Sequence, residues 1–457
     1  MSYLQSIIIY IPAIVIGFLL VHLLWPERGL WVLLFKLSLG VGAGLGLTSL
    51  LYFIILLVIP IGFPFSTLQI IILLILLFLT IRRERTIPLT PRPSPFATRS
   101  TPSTSRVTHY SLLITLLLSL LITIASFINF SIRRDQGAFD AWMIYNRAAR
   151  FIVRDPANWQ ATLSPDLSWG FHADYPLLVS TNVAWAWTSL GAENIRVPLV
   201  QSGLFLFACI GLLFTALAQV KGIRQSSLAA IILMSISGFV RSGSGQTADV
   251  PLAFFMLASI AIMSLRGTFF PEAILSQQET ASPKARSDML LVLSGFMAGL
   301  AGWTKNEGLL FIAVSVVIMF LFFARTKSLR SFIYFGLGLV FPALVILYFK
   351  SITPAGDLFS GSPADILARI ADPTRYLLIL KSLGSELLSF GGWPVPLILF
   401  IILLFFVFGS KLDTETRQLF RALSAIAALQ LLGYLVIYLI TPHDLAWQLG
   451  TALDRNV

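Results

Sequence analysis

Apolar runs of about twenty residues recur along the chain, separated by short polar stretches. They lie at 4–25, 31–59, 66–81, 110–130, 197–219 and 331–349. A helix rises ~1.5 Å per residue, so about twenty residues cross a hydrocarbon layer ~30 Å thick. Lipid offers the backbone no hydrogen-bond partner, so each run must satisfy its own N–H and C=O groups and is predicted to be helical. Taken with the shorter apolar segments, the pattern predicts an all-α polytopic membrane protein of about twelve spans.

The polar stretches set organisation and orientation. Three spans occupy residues 1–81. Residues 82–109 follow, with six arginines among Pro, Ser and Thr, a composition that cannot bury a core and reads as a cytoplasmic linker. Basic loops at 221–225, 266–288, 325–330 and 410–421 hold eleven Lys and Arg between them. The positive-inside rule places these on the same side as the linker. That arrangement requires 176–190 (PLLVSTNVAWAWTSL) not to cross, so it is expected to lie at the outer interface. The remaining chain reads as a transmembrane core over 110–441, with outer loops 131–196 and 350–393, and an extracytoplasmic tail over 442–457.

Composition agrees with this class and removes others. With 57% hydrophobic residues and a mean hydropathy of +0.86, a soluble globular domain is excluded. The formal charge of +11 sits in loops between spans, which points to membrane orientation and not to nucleic acid. One cysteine, Cys209, lies inside a span and supports no disulfide framework. The first apolar segment lacks a cleavage pattern and is read as a retained helix. The glycines of GVGAGLG (40–46) sit in a span with no strand before them, so close helix packing is expected over nucleotide binding.

Most distinctive polar residues fall on the side opposite the basic loops. In DQGAFDAWMIYNRAARF (135–151), winding 140–154 as a helix puts Asp140, Arg147, Arg150 and Arg154 within about 80° of arc. Trp142, Tyr145, Ala148, Ala149, Ile152 and Val153 fall on the other side, as in an interfacial helix. Asp140 stands at its start, where a carboxylate suits the helix dipole. Further along come His172 and Asp174 in FHADYPLL, Arg241 in RSGSGQTAD, Asp249 before Val250 and Pro251, Lys305 and Glu307 in WTKNEG, and His443 and Arg455 near the end. Tryptophans 142, 159, 169, 185 and 187 share these segments, either as an aromatic belt or as stacking surfaces for sugars. A second interfacial helix is expected over 373–393, placed to cover a lipid-donor groove.

The order FDAWMIYNRAARF, FHADYPLL, TADVPLAFF, WTKNEG resembles the GT-C glycosyltransferases, polytopic enzymes that take sugars from polyprenyl-phosphate donors. These include protein O-mannosyltransferases and lipid A aminoarabinose transferases. The resemblance covers roughly 110–345 and implies a GT-C-like fold. It implies hexosyl or pentosyl transfer, outside the cytoplasmic membrane of a bacterium, to a glycan, lipid or protein acceptor. Asp140 matches the family's acidic residue, though Ala141 stands where a second acid is usual, so Asp135 stays open as the match. An acceptor hydroxyl loses its proton as it attacks, and a carboxylate in reach serves as general base. Asp140 takes that role, with inversion at the anomeric carbon.

Around it, His172, Asp174, Arg241, Asp249, Lys305, Glu307, His443 and Arg455 are the expected substrate-binding residues, with Arg241 or Lys305 facing the leaving phosphate. Plainer readings stand beside these: helix caps for Asp140 and Asp249, and snorkelling for Arg241 and Lys305. No HxH or HxxxH spacing occurs, so no metal is expected. A divalent ion on His172 and Asp174 with Asp140 or Glu307 is the weaker reading, and no other cofactor is implied. The alternative functions are a polysaccharide polymerase or ligase using diphosphate-linked donors, and a transporter.

Overall fold

In the computed structural model, residues 3–25, 27–59, 65–86, 106–167, 172–265, 282–326, 329–354, 362–389 and 414–456 are described, and every element among them is helical. Eight helices are long and apolar enough to cross a membrane. They are nine if Ile223–Ser235 and Ser237–Ser244, bent by 66°, form one broken span. All six apolar runs named above are among them, joined by Glu307–Ala324 and Phe420–Ile440. The chain is thus an all-helical integral membrane protein. Asp249–Leu265 and Asp288–Thr304 are apolar but shorter. The span expected between 393 and 410 lies outside the described residues, so the expected dozen is not reached among them.

The first run is two helices, Tyr3–Ile8 and Ile11–Leu24, the second opening on Pro12 in its first turn. Proline has no N–H to donate, and there none is required. Leu30–Val58 packs against it through glycines. A Cβ on Gly17 would collide with the backbone of Gly40 and Gly44, and one on Gly44 with the Ala13 carbonyl. On the other face, a Cβ at Gly42 would strike the Phe254 ring and one at Gly46 the Leu300 side chain. Small residues let helices approach closely enough for dispersion to hold them, and here they serve three neighbours at once.

The N-terminal module shares its core with the rest of the described chain. Tyr10, Phe35, Phe53, Trp159, Trp185, Phe254, Trp303 and Phe349 belong to one continuous buried core. At the end of the module away from Tyr3, Lys36 Nζ donates to the Glu27 carbonyl at 2.6 Å, and His22 Nε2 stands 3.2 Å from Glu84 Oε1. Arg28 also pairs with Glu84, and Arg83 donates to the Leu23 carbonyl. The bonds of Arg83 and Glu84 hold the end of a helix that continues to Thr86, within the expected linker, and helix resumes at Arg106. Residues 87–105 lie outside the described residues.

A second difference concerns 176–190. Its helix, Leu178–Leu190, has every residue from Leu178 to Trp187 buried. An interfacial helix keeps one face exposed, and this one has no such face over that stretch. Its polar side chains are spent inside the protein: Thr181 Oγ1 lies 2.7 Å from Ser49 Oγ, and Thr188 Oγ1 lies 3.3 Å from Tyr52 Oη. Ser49 also accepts from Trp303 Nε1 at 2.8 Å. Buried hydroxyls need partners, and these cross-helix bonds fix the segment within the bundle. Trp159, Trp185 and Trp187 are likewise buried at 1% exposure, so they pack the core and form no belt. Trp142 is exposed, and Trp169 lies outside the described residues.

The stretch 350–393 contains two helices, Pro363–Ala371 and Pro373–Ser389. The second leaves Leu377, Leu380 and Leu388 exposed, the amphipathic pattern expected of it. Arg369 donates to the Ile440 carbonyl at 2.9 Å, and Arg375 to those of Tyr438 and Thr441 at 2.9 and 3.2 Å. Guanidinium groups thus satisfy the open carbonyls at the C-terminus of Thr414–Ile440, where the dipole is negative. The expected tail is a helix, Leu445–Asn456, packed on Pro373–Ser389 through Leu445, Leu449 and Leu453.

Candidate functional site

Asp140 enters the site on an irregular helix. Residues Ala141–Tyr145 form a π turn, continued by the α-helix Asn146–Arg154. A π turn inserts an extra residue into the helical register and recurs at functional sites. Across this turn Ile144 is buried while Trp142 is 43% exposed. Asp140 itself has helical backbone angles, φ −61° and ψ −34°, and its carboxylate makes no capping bond. The cap reading therefore falls away for Asp140. The arginine face of this helix meets protein: Arg154 donates from Nε and Nη2 to Glu193 at 2.6 and 2.8 Å, and Arg150 stacks over Trp187 at 5.5 Å.

Asp249 is the first residue of its helix, and both its oxygens are engaged by side chains. Oδ2 accepts from Thr247 Oγ1 at 2.9 Å, and Oδ1 from Lys305 Nζ at 2.9 Å. The same ammonium lies 2.8 Å from Glu307 Oε1. Burial opposes the Lys305 charge, but the two carboxylates outweigh it and hold this lysine well above the usual range. Snorkelling does not describe a side chain 6% exposed between two acids. Glu307 Oε2 is buried and has no hydrogen-bond partner. A carboxylate oxygen in that state is costly unless something donates to it.

A second set of bonds joins this group to the His172–Pro176 segment. Lys350 Nζ donates to the Asp174 carbonyl at 2.5 Å, to Asp174 Oδ2 at 3.1 Å and to Asn306 Oδ1 at 2.7 Å. Asn306 Nδ2 returns a bond to Asp174 Oδ2 at 2.8 Å. The His172 ring stacks on Tyr175, centroids 4.4 Å apart and planes 11° from parallel. Tyr145 and Tyr175 tie the two sets together. Burial raises both phenols, Glu307 and Asp174 act on Tyr175, Asp249 acts on Tyr145, and Lys305 and Asp140 act on both. Both tyrosines also line a small cavity with His172, Thr162 and Ser180.

The segments that carry six expected site residues therefore come together: Asp140, His172, Asp174, Asp249, Lys305 and Glu307. Three carboxylates, Asp174, Asp249 and Glu307, are paired with Lys305 and Lys350, and the Asp140 segment joins them through the 2.8 Å bond from Ala138 N to the Gly245 carbonyl. Among the described residues, no three His, Cys, Asp or Glu side chains are arranged to hold a metal ion. Arg241 is exposed, on the short helix Ser237–Ser244 packed beside the end of Arg106–Arg133. His443 lies against Trp447, with ring centroids 6.0 Å apart. Arg455 falls within Leu445–Asn456, with its side chain outside the described residues. Sequence reasoning missed Lys350, Asn306, Tyr145 and Tyr175. Asn306 was in view, between Lys305 and Glu307, while Lys350 closes an apolar run and carries no local signal. No family model, no curated protein and no solved structure matches this chain.

Proposed function

We propose that this cluster is the catalytic centre of a glycosyltransferase, moving a hexosyl or pentosyl group from a polyprenyl-phosphate donor to a hydroxyl acceptor outside the cytoplasmic membrane. The observation that carries the reading is the convergence of Asp140, Asp174, Asp249, Lys305 and Glu307, from four segments far apart in sequence, at one end of an apolar helical bundle. A sugar donor anchored by a lipid tail reaches such an end from the membrane, where water does not carry it.

In this mechanism Asp140 removes the acceptor proton, and the oxygen attacks the anomeric carbon as the bond to phosphate breaks, inverting the centre. Glu307 Oε2, with its open acceptor position, takes a sugar hydroxyl. Lys305 is already neutralised by two acids, so the leaving phosphate falls to exposed cations. Arg241, with Arg133 and Arg134 at the end of the neighbouring helix, supplies them, and guanidinium binds phosphate in bidentate fashion. Asp249 and Lys305 hold the frame. The fold that goes with this activity is GT-C-like with about twelve spans, towards which the eight long helices, the bent pair as one, Asp249–Leu265 and Asp288–Thr304 count among the described residues. Transport fits less well, because the acidic cluster stands at helix ends and not at mid-depth.

Asp140→Asn tests the assignment. Purified wild-type and variant protein are given radiolabelled single sugars on polyprenyl phosphate, and oligosaccharides on polyprenyl diphosphate. Retained donor binding with transfer lowered on the order of 10²–10⁴-fold supports Asp140 as the base. Undiminished transfer by the variant rejects it, and transfer only from diphosphate-linked oligosaccharides replaces the reading with a polymerase or ligase.

A further inference from the structure

Gln246 has φ +58°, and it is the only residue other than glycine with positive φ among the described residues. It is also buried, at 2% exposure. The left-handed conformation is unfavourable for a side-chain-bearing residue, and it persists where its surroundings over-determine it. What holds Gln246 is a contact between two loops. Its Nε2 donates to the Asp135 carbonyl at 3.2 Å, and next to it the Gly245 carbonyl accepts from Ala138 N at 2.8 Å.

The facing loop is shaped to match. Gly137 has φ +80°, and a Cβ there would stand 2.6 Å from the Gly245 oxygen and 3.0 Å from Gln246 Cβ. Only glycine lets the two backbones come this close. The first loop runs directly into Asp140. The second runs through Thr247, whose hydroxyl donates to Asp249, and into the Asp249–Lys305–Glu307 group. The distance between the base and the buried ion group is therefore set where these loops meet.

We propose that Gln246 is a positioning residue that clips the Asp140 loop to the Asp249 loop and so fixes the separation of the proton acceptor from the buried ion group. The proposal rests on the glycosyltransferase reading for its consequence, but the clip itself is measurable without substrate. Only the amide nitrogen works in the clip; Gln246 Oε1 has no hydrogen-bond partner. Gln246→Glu keeps the size of the side chain and loses the donor. Gln246→Gly removes the backbone cost together with the clip. Gln246→Asn suits the left-handed region but reaches one methylene less far.

The test pairs a distance with a rate. Spin labels at Phe139 and Ala253, both exposed, report the separation of the two segments by pulsed electron resonance in full-length protein. A single narrow distance in the wild type that broadens in Gln246→Glu and Gln246→Gly is the expected result. With it, kcat should fall on the order of 10–100-fold at nearly constant KM for the donor, as for a misplaced reacting group. Gln246→Asn should recover part of both. In Gln246→Gly that loss should come without a fall in Tm, a combination that a merely structural role does not give. An unchanged distance distribution in Gln246→Glu overturns the clip, and an unchanged kcat with a broadened distribution overturns its positioning role. A wild type that transfers no sugar from any donor defeats the glycosyltransferase reading instead, and the distance measurement still decides the clip.

Discussion

Lys305 Nζ lies 2.9 Å from Asp249 Oδ1, joining two helix ends 56 residues apart where the side chains are only 6% and 13% exposed. A charge withdrawn from water this far is held by its partners, and deleting one partner leaves the other stranded. Lys305→Met strands two carboxylates and should destabilise the protein by about 3–5 kcal/mol. Asp249→Asn should cost less, because Glu307 remains on the ammonium. Combining Lys305→Met with Asp249→Leu should recover stability relative to Lys305→Met alone, without recovering transfer. Thermal melts of the three variants in detergent decide this; a double variant no more stable than Lys305→Met would falsify the stranded-charge account.

Glu307 separates stability from activity in the opposite sense. Its Oε1 shares Lys305 with Asp249, while Oε2 is the buried oxygen without a donor. In Glu307→Gln the amide oxygen can still accept from Lys305, and an NH2 group replaces the open acceptor. The melting temperature is expected to stay near that of the wild type, since Lys305 keeps its 2.9 Å partner Asp249 and an acceptor at position 307. Transfer is expected to fall on the order of 10²-fold, as when a single transition-state hydrogen bond is lost. A stable variant with full transfer would show that no substrate group meets Oε2.

How much of this was legible in the sequence depends on the kind of information each feature needs. Span positions are read from run length along one dimension, so Tyr3–Leu24 and Leu329–Ile352 agree with the apolar runs within a few residues. The polar motifs are exceptions to an apolar background, and their convergence follows from alternate spans ending on one side. The burial of Leu178–Leu190 was not legible because its Ser, Thr and Asn look alike on a wet surface and in a hydrogen-bonded interior. Only the partners, Ser49 and Tyr52, distinguish the two, and they lie more than 130 positions away. The π turn at Ala141–Tyr145 carries no proline or glycine to announce it, so the sequence reads it as regular helix.

Glu193 predicts a pH response outside the cluster. The hydrogen bonds from Arg154, with burial opposing them and Arg150 adding to them, hold its carboxyl below the usual glutamate range. A carboxyl lowered in the folded state contributes stability that is complete above its unfolded pKa of about 4.3 and is lost as pH falls through the lower folded value. The melting temperature should therefore decline in that acid window, and Glu193→Gln should flatten this part of the profile. Arg154 is 65% exposed, so the contribution should also shrink in high salt. Melts between pH 3 and 6 at two salt concentrations test both parts. Equal acid sensitivity in Glu193→Gln would assign the decline to other carboxyls.

Lys350 provides the last prediction, because one ammonium joins three segments. It donates to the backbone and side chain of Asp174 and to Asn306, while belonging to the end of Leu329–Ile352. Lys350→Met keeps an unbranched side chain, shorter only by the terminal nitrogen position, and removes all three bonds, leaving Asp174 held by Asn306 alone. The segment from His172 to Pro176 should then open more often. Its amides should exchange hydrogen faster, while those of Leu178–Leu190, anchored separately through Ser49 and Tyr52, should not. Because Asp174 in this segment is bonded to Asn306, between Lys305 and Glu307, transfer should fall as well, through a higher KM where the segment shapes the sugar site. Lys350→Arg should restore protection in part, since guanidinium still donates to carboxylate and amide but cannot occupy the compact position of an ammonium. Unchanged exchange at 172–176 in Lys350→Met would mean that Asn306 and packing suffice to hold the segment, and would remove Lys350 from the machinery of the site.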